Sequence, residues 1–315
     1  YTMTPIAPDS FTVTAQDGKS LAAYRWRSPS QNPAGLVQIV HGMAEHSLRY
    51  GAFASFLAAH GFDVVAHDQR GHGNTDPESL GYIAEGNAFS LHVQDVETVT
   101  KHLTETDPDL PRIVFAHSMG SFVVQRYMQR SGDRPAAIIY SGSNGPPPAA
   151  LTIGVLLAKF QRIIQGDDHP SKLIRDITFG PYNRTFKPNR TDKDWLSRDP
   201  DTVDAYINDP KSGMVMSTSF FHDFFRGLKQ LHRHSPFSGP HSDIPILLIS
   251  GSEDPVGMMG RGVQKLADKL RSSGVKKVDL KLYPKARHEL LNEVNREQVY
   301  ADLLGWIETE ALSTP

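Results

Sequence analysis

Ser118 lies in the stretch IVFAHSMG (113–120), where an apolar run fit for a buried strand passes into a serine between small residues and the helical pattern Phe122, Val123, Tyr127 follows. A strand that turns sharply into a helix at a serine lifts its Oγ above the sheet edge, where it can attack a carbonyl carbon. Strand and helix approach closely at such an elbow, so the residues two before and two after the serine must be small. Ala116 and Gly120 hold those places, Ala116 adding one methyl group to the commoner G-x-S-x-G. A serine hydroxyl is a weak nucleophile until a base takes its proton, and the base needs a third group to fix its tautomer. Those partners are expected after later strands, acid first and histidine second. Asp254 follows the apolar run IPILLIS and His288 follows VDLKLYP, with room for one helix and one strand between them, so all three fall on one sheet edge. Glu253 is the neighbouring alternative for the acid. With His288 as base, activity should rise through about pH 6 to 7 as the free imidazole appears. A tetrahedral oxyanion also needs two backbone N–H donors. Met119, next after the serine, supplies one; Met43, in HGMAEH after the run Leu36–Val40, supplies the other, with Gly42 letting the backbone turn that amide inward.

The elements that must position these residues are legible as apolar runs of strand length separated by helical patterns, the mark of a parallel sheet covered on both faces. Phe11–Ala15 and Leu21–Arg27, joined by the turn Asp17-Gly18-Lys19, read as an entry hairpin. Strands follow at Leu36–Val40, Val64–His67, Ile113–Phe115, Ala136–Tyr140, Ile246–Ser250 and Val278–Tyr283. Helical faces recur between them, as at Val263, Leu266, Ala267 and Leu270, and at Val299, Leu303, Leu304 and Ile307. The rhythm breaks after Pro146-Pro147-Pro148. We therefore expect a core domain of 1–145 and 239–315, and a helical cap inserted over 146–238 on the carboxyl edge of the sheet, where open α/β sheets bind ligands. Within the cap, FGPYNRTFKPNRTD reads as turn-rich. The cap helix Leu151–Ile164 carries Ile153, Leu156, Leu157, Phe160, Ile163 and Ile164 on one face, with Lys159 and Arg162 off it. Two placements stay open: the stripe packs down and lines an acyl tunnel, or part of it faces outward and makes peripheral contact with a membrane.

Composition narrows the function classes. Lys and Arg number 33 against 35 acidic residues, a net charge of -2, which gives no electrostatic reason for a nucleic-acid partner. Zero cysteines removes thiol nucleophiles and disulfides. The first residues carry no basic and apolar signal pattern and no run has the length of a membrane span, so a cytoplasmic location, peripheral to the membrane if the cap helix docks there, is the expectation. The chain starts at Tyr1, which leaves a removed leader open.

The segments HGMAEHSLRY, DQRGHGNTD, AHSMGS, SRDPDTVDAYINDP, GSEDPVG and ARHELLNE, in this order, resemble the monoacylglycerol lipase and lysophospholipase branch of the α/β-hydrolases (serine aminopeptidase S33-like) in its bacterial form, from about Leu21 to Trp306. The resemblance implies the α/β-hydrolase fold, a mostly parallel central sheet with helices on both faces and a helical cap. It places nucleophile, acid and base on Ser118, Asp254 and His288, and the oxyanion donors on Met43 and Met119, the residues already reached from chemistry. Glu45, His46, Arg49 and Tyr50 match the family's H-G-x-x-E-H-x-x-R-Y signature and, with Gly42, imply support of the oxyanion loop; Asp68 and Arg70 are read as structural. The implied activity is a serine ester hydrolase working through an acyl-enzyme on monoacylglycerols, lysophospholipids or similar esters with a single acyl chain, a small-molecule or lipid substrate. The alternatives are a short-chain carboxylesterase of broad tolerance, aliphatic polyesters included, a prolyl iminopeptidase-type peptidase, and a binding module that kept the fold without the chemistry. The peptidase normally carries H-G-G-P-G where this chain has HGMAEH.

No cofactor or metal is expected. His288-Glu289-Leu290-Leu291-Asn292 starts like the zinc motif H-E-x-x-H but has Asn292 where the second ligand must stand. His232 and His234 in LHRHSPF read as a solvated cap loop, and Gly71-His72-Gly73 lacks the third glycine of a dinucleotide fingerprint. Serine at 118 excludes the aspartate-nucleophile dehalogenases and epoxide hydrolases of the same fold.

Overall fold

The computed structural model describes residues 5–145, 150–234 and 241–312. Pro146–Pro148 and the expected core–cap boundaries at 145/146 and 238/239 touch segments outside the described residues. Eight strands form one sheet: β1 (Asp9–Thr14), β2 (Ser20–Trp26), β3 (Gly35–Val40), β4 (Phe62–His67), β5 (Arg112–His117), β6 (Ala137–Ser141), β7 (Ile246–Gly251) and β8 (Val278–Tyr283). Their order is β1-β2-β4-β3-β5-β6-β7-β8. The β1–β2 and β2–β4 pairings are antiparallel and the remainder parallel, so the molecule has the α/β-hydrolase fold.

Every residue of β3, β4, β5, β6 and β7 is buried, which explains why these strands read as mainly apolar runs, interrupted by Gln38, Asp63 and Arg112, rather than as alternating ones. One sheet face is covered by α1 (Gly51–Ala59) and α9 (Arg296–Glu310), through Phe53, Leu57, Val299, Leu303 and Ile307. The other is covered by α2 (Ala88–Thr106), α3 (Met119–Arg130) and α8 (Arg261–Ser272), through Val93, Val96, Val123, Val263 and Leu266. The faces expected for α8 and α9 are thus the buried ones.

Between β6 and β7 the chain makes α4 (Ala150–Gln165), α5 (Lys172–Arg184), α6 (Pro200–Asn208) and α7 (Thr218–Arg233). Side-chain caps fix three of the starts: Ser171 accepts from the Ile174 amide, Asp199 from Asp201 and Ser217 from Phe220. One expectation fails here. FGPYNR is not a turn but the end of α5, with Pro181 inside the helix. Of the two placements left open for the α4 stripe, Ile153, Leu156, Phe160, Ile163 and Ile164 take the outward one, being 61% to 73% exposed, while Leu157 of the same stripe packs on the core and lines the cavity. The side of α4 that meets α7 carries the small residues Gly154 and Ala158, and Gly154 lies against the bulky Phe225 of α7. Among the described residues no helix is long and apolar enough to cross a membrane.

Candidate active site

Ser118 stands between β5 and α3 with φ 48° and ψ -118°, a positive φ that a non-glycine residue adopts only under constraint. The constraint is visible on both sides. The Ser118 amide donates to the Ser141 carbonyl at 2.9 Å, and a Cβ on Gly120 would lie 2.3 Å from the Val40 carbonyl oxygen, so no larger residue fits where α3 passes β3. Ala116 is fully buried in β5, and its methyl group is accommodated there.

His288 and Asp254 meet this serine. The Ser118 hydroxyl lies 3.0 Å from His288 Nε2, and His288 Nδ1 lies 3.0 and 3.1 Å from the two Asp254 carboxylate oxygens. Asp254 is fully buried and accepts further bonds from the Val256 amide at 2.9 Å and the Ser250 hydroxyl at 3.3 Å, which fix its carboxylate plane. Asp254, and not Glu253, is the carboxylate bonded to the imidazole; the Glu253 amide is tied to the Ala286 carbonyl. Burial disfavours a charged His288, but the Asp254 carboxylate and then Glu289 outweigh it and raise the imidazole above its ordinary value. His117, whose ring packs 4.7 Å from that of His288, is pushed the other way, down to about 4, by burial and then by His288, so it stays neutral.

The loop after β3 passes against the elbow: a Cβ on Gly42 would sit 3.2 Å from Ser118 Cβ and 2.7 Å from Glu45 Oε1. Met43 and Met119 both line the cavity at Ser118, and Met119, the first residue of α3, has no intrahelical acceptor for its amide. Glu45 Oε1 accepts from the Gly42 amide at 2.6 Å and from the Tyr50 hydroxyl at 2.8 Å, while Oε2 accepts from Arg49 at 2.7 Å. His46 turns away from this turn and pairs with Asp209 at 2.6 Å, tying the loop to the segment after α6. Asp68 binds the Ser47 and Asn74 amides and Arg70 binds Asp17 and Asp95, so both act on loop structure and not on the cavity.

Ser118 opens onto a cavity of about 550 Å³ lined by Phe122, Phe221, Phe224, Phe225, Leu228 and Leu157 among others. His232 also lines it. The residues LHR belong to the last turn of α7 and not to a solvated loop, and burial, then Lys269, lowers the His232 imidazole to about 4. Three residues near the site were missed from sequence: Glu289, bidentate to Arg49; Trp195, whose ring lies 5.2 Å from that of His288; and Tyr206, which donates to the Ala44 carbonyl at 3.0 Å. In the sequence Glu289 stands within ARHELLNE and the failed zinc motif, and neither gives it a role. Among the described residues no group of three His, Asp or Glu side chains could hold a metal ion.

A serine on a strained elbow, a buried imidazole–carboxylate pair at hydrogen-bond distance and a cavity at the carboxyl edge of the sheet are the working parts of an α/β-type hydrolase. The chain belongs to the serine aminopeptidase S33 family, whose model matches residues 31–295. It is 30% identical to a monoacylglycerol lipase of Mycolicibacterium smegmatis over 285 residues, 89% of this chain and 90% of that one. Among solved structures, a thermostable carboxyl esterase from Bacillus coagulans superposes with a TM-score of 0.85 at 27% identity, covering 97% of this chain and 99% of that one. A lipase in its open form gives 0.83 at 29%, with the same coverage of 97% and 99%.

Proposed function

We propose that this hydrolase cleaves carboxylic esters bearing a single long acyl chain, monoacylglycerols and lysophospholipids among them, through an acyl-enzyme on Ser118. His288 takes the serine proton and returns it to the leaving alcohol, Asp254 orients the imidazole, and the Met43 and Met119 amides hold the oxyanion. The segment between β6 and β7 serves as the cap. The observation that carries the acyl-chain reading is the wall of the cavity: Phe122, Phe221, Phe224, Phe225, Leu157 and Leu228 bury a chain that starts at Ser118. Each methylene buried there contributes about 0.8 kcal/mol. A peptide backbone would find few partners along that wall, which weighs against the aminopeptidase activity in the family's name. The monoacylglycerol lipase and carboxyl esterase relatives favour the same side.

The test is a ladder of p-nitrophenyl esters, monoacylglycerols and lysophospholipids of increasing chain length, with a prolyl p-nitroanilide beside them. kcat/KM should rise by roughly three- to four-fold per methylene until the cavity is full. An optimum at two to four carbons would turn the reading to a short-chain carboxylesterase, and preferred cleavage of the anilide to a peptidase. Gly154 refines the prediction. A Cβ there would already approach the Phe225 ring to 3.3 Å, so Gly154→Leu should fill the cavity between α4 and α7 and move the optimum to shorter chains, with rates on short esters retained.

The exposed α4 face supports a peripheral contact with lipid. Ile153, 69% exposed, and Ile177 of α5, 55% exposed, line the cavity as well as facing outward, so the apolar patch is continuous with the route to Ser118. A bilayer surface is the occupant whose chemistry matches both patch and substrate. Replacing Leu156 and Phe160 with Ser is expected to leave the melting temperature nearly unchanged and to reduce co-sedimentation with phosphatidylcholine vesicles. Lost thermal stability with unaltered vesicle binding would rule out docking through these residues.

A further inference from the structure

One charged side chain in the cavity wall, Glu289, has no part in the scheme above. Its carboxylate is buried and receives two parallel bonds from Arg49, at 2.8 and 2.7 Å, and a third from the Asn292 side chain at 2.9 Å. The same guanidinium donates to Glu45 Oε2 at 2.7 Å, and Glu45 holds the Gly42 amide. One cation therefore joins the turn that carries Met43 to the residue next to His288. The backbone continues the tie into the insertion, since the Glu289 amide donates to the Leu196 carbonyl at 2.8 Å and that of His288 to Trp195 at 3.4 Å. On the opposite side Tyr206 and the Gly213 amide both donate to the carbonyl of Ala44, a non-glycine residue held at φ 58°.

We propose that Glu289 is a positioning residue: through Arg49 it locks the oxyanion loop to the base-bearing loop, and its carboxylate acts beside that of Asp254 in favouring the protonated His288. The proposal rests on His288 as the base. The groups acting on His288 are Asp254 from the loop after β7, Glu45 from the oxyanion loop with Arg49 bonded to it, His117 from the end of β5, and Glu289 beside it in the chain; Arg287 precedes it, and Lys193, Tyr182 and Tyr206 of the insertion line the same cavity. His117 is neutral, and Arg287 is turned toward the Asp194 and Ser197 carbonyls. The buried set Glu45, Arg49 and Glu289 carries two negative charges against one positive. Arg49 holds Glu45 below its ordinary value despite burial, so Glu45 keeps its charge. The set thus favours the imidazolium. Removing the carboxylate should lower the proton affinity of His288, and removing the guanidinium should raise it.

The experiment is the pH profile of kcat/KM on soluble p-nitrophenyl butyrate for the wild type, Glu289→Gln, Arg49→Lys and Arg49→Gln. Glu289→Gln should move the acid limb to lower pH by about half to one unit, and Arg49→Gln should move it to higher pH by a similar amount. Arg49→Lys keeps the charge but not the fork, so its limb should stay in place while kcat falls by about 10- to 100-fold from a loosened oxyanion loop. If Arg49→Gln does not fold, the other two variants carry the test. Limbs that coincide with wild type in Glu289→Gln, or that move the same way in both charge-removing variants, would overturn the proposal. A wild-type profile with no limb between pH 5 and 8 would instead overturn His288 as the base, and this proposal with it.

Discussion

Ser118→Ala is expected to lower kcat by about 10⁴-fold or more while leaving the fold intact, and a fluorophosphonate is expected to label Ser118 and no other serine of the wild type. The size follows from what the hydroxyl does. Its Oγ stands at 3.0 Å from the imidazole at the mouth of the cavity, and among the described residues no other hydroxyl is bonded to His288. Without it only substrate binding and the oxyanion amides remain, which in other triads leave roughly 10³- to 10⁴-fold over water. The fold should survive because alanine keeps the Cβ, and the elbow is held by the Ser118 amide and by Gly120, not by the hydroxyl. Gly120→Ala is the useful contrast: it drives a methyl into the Val40 carbonyl and should reduce stability and activity together. Normal turnover by Ser118→Ala, or a label on another serine, would remove the acyl-enzyme scheme.

The strands, the elbow and the order of serine, acid and histidine were legible because each is a local signal: an apolar run, small residues at fixed offsets, and a loop residue at the carboxyl end of a strand. The side of α4 that packs down stayed open because periodicity identifies an apolar stripe but not the neighbour it faces. Here the contact went to Gly154 and Ala158, which carry little hydrophobic weight yet let α4 approach the phenylalanines of α7. FGPYNR misled in the opposite sense, since Gly180 and Pro181 speak for a turn and the last turns of α5 nevertheless accommodate them. Glu289, Trp195 and Tyr206 were invisible for a different reason. Each acts through a partner distant in the chain, Arg49, His288 and Ala44 respectively, and no spacing in one sequence encodes such a pair.

Asp254→Asn is expected to cost about 10⁴-fold in kcat, with a change in pH dependence that marks the mechanism. In the wild type the carboxylate accepts from His288 Nδ1, which leaves Nε2 without its proton and able to receive that of Ser118. An asparagine amide can donate to Nδ1, so the ring proton moves to Nε2 and faces the serine as a donor; the base then has the wrong tautomer. The Ser250 hydroxyl and Val256 amide hold the side chain in place, so the variant should fold and the loss should be chemical. The pH sign follows from the same pair. Burial resists the imidazolium, yet Asp254 raises His288 above its ordinary value, so the acid limb of the wild-type kcat/KM should lie above about pH 6.5. Removing the Asp254 charge should carry the residual activity's limb to lower pH. Combining this change with Ser118→Ala should add little, because residues of a triad act as a unit. Steady-state kinetics from pH 5 to 9 on the single and double variants check all three expectations. A near-normal kcat for Asp254→Asn would mean that Glu253 or another carboxylate is the acid, even though the buried Asp254 side chain is the one bonded to His288.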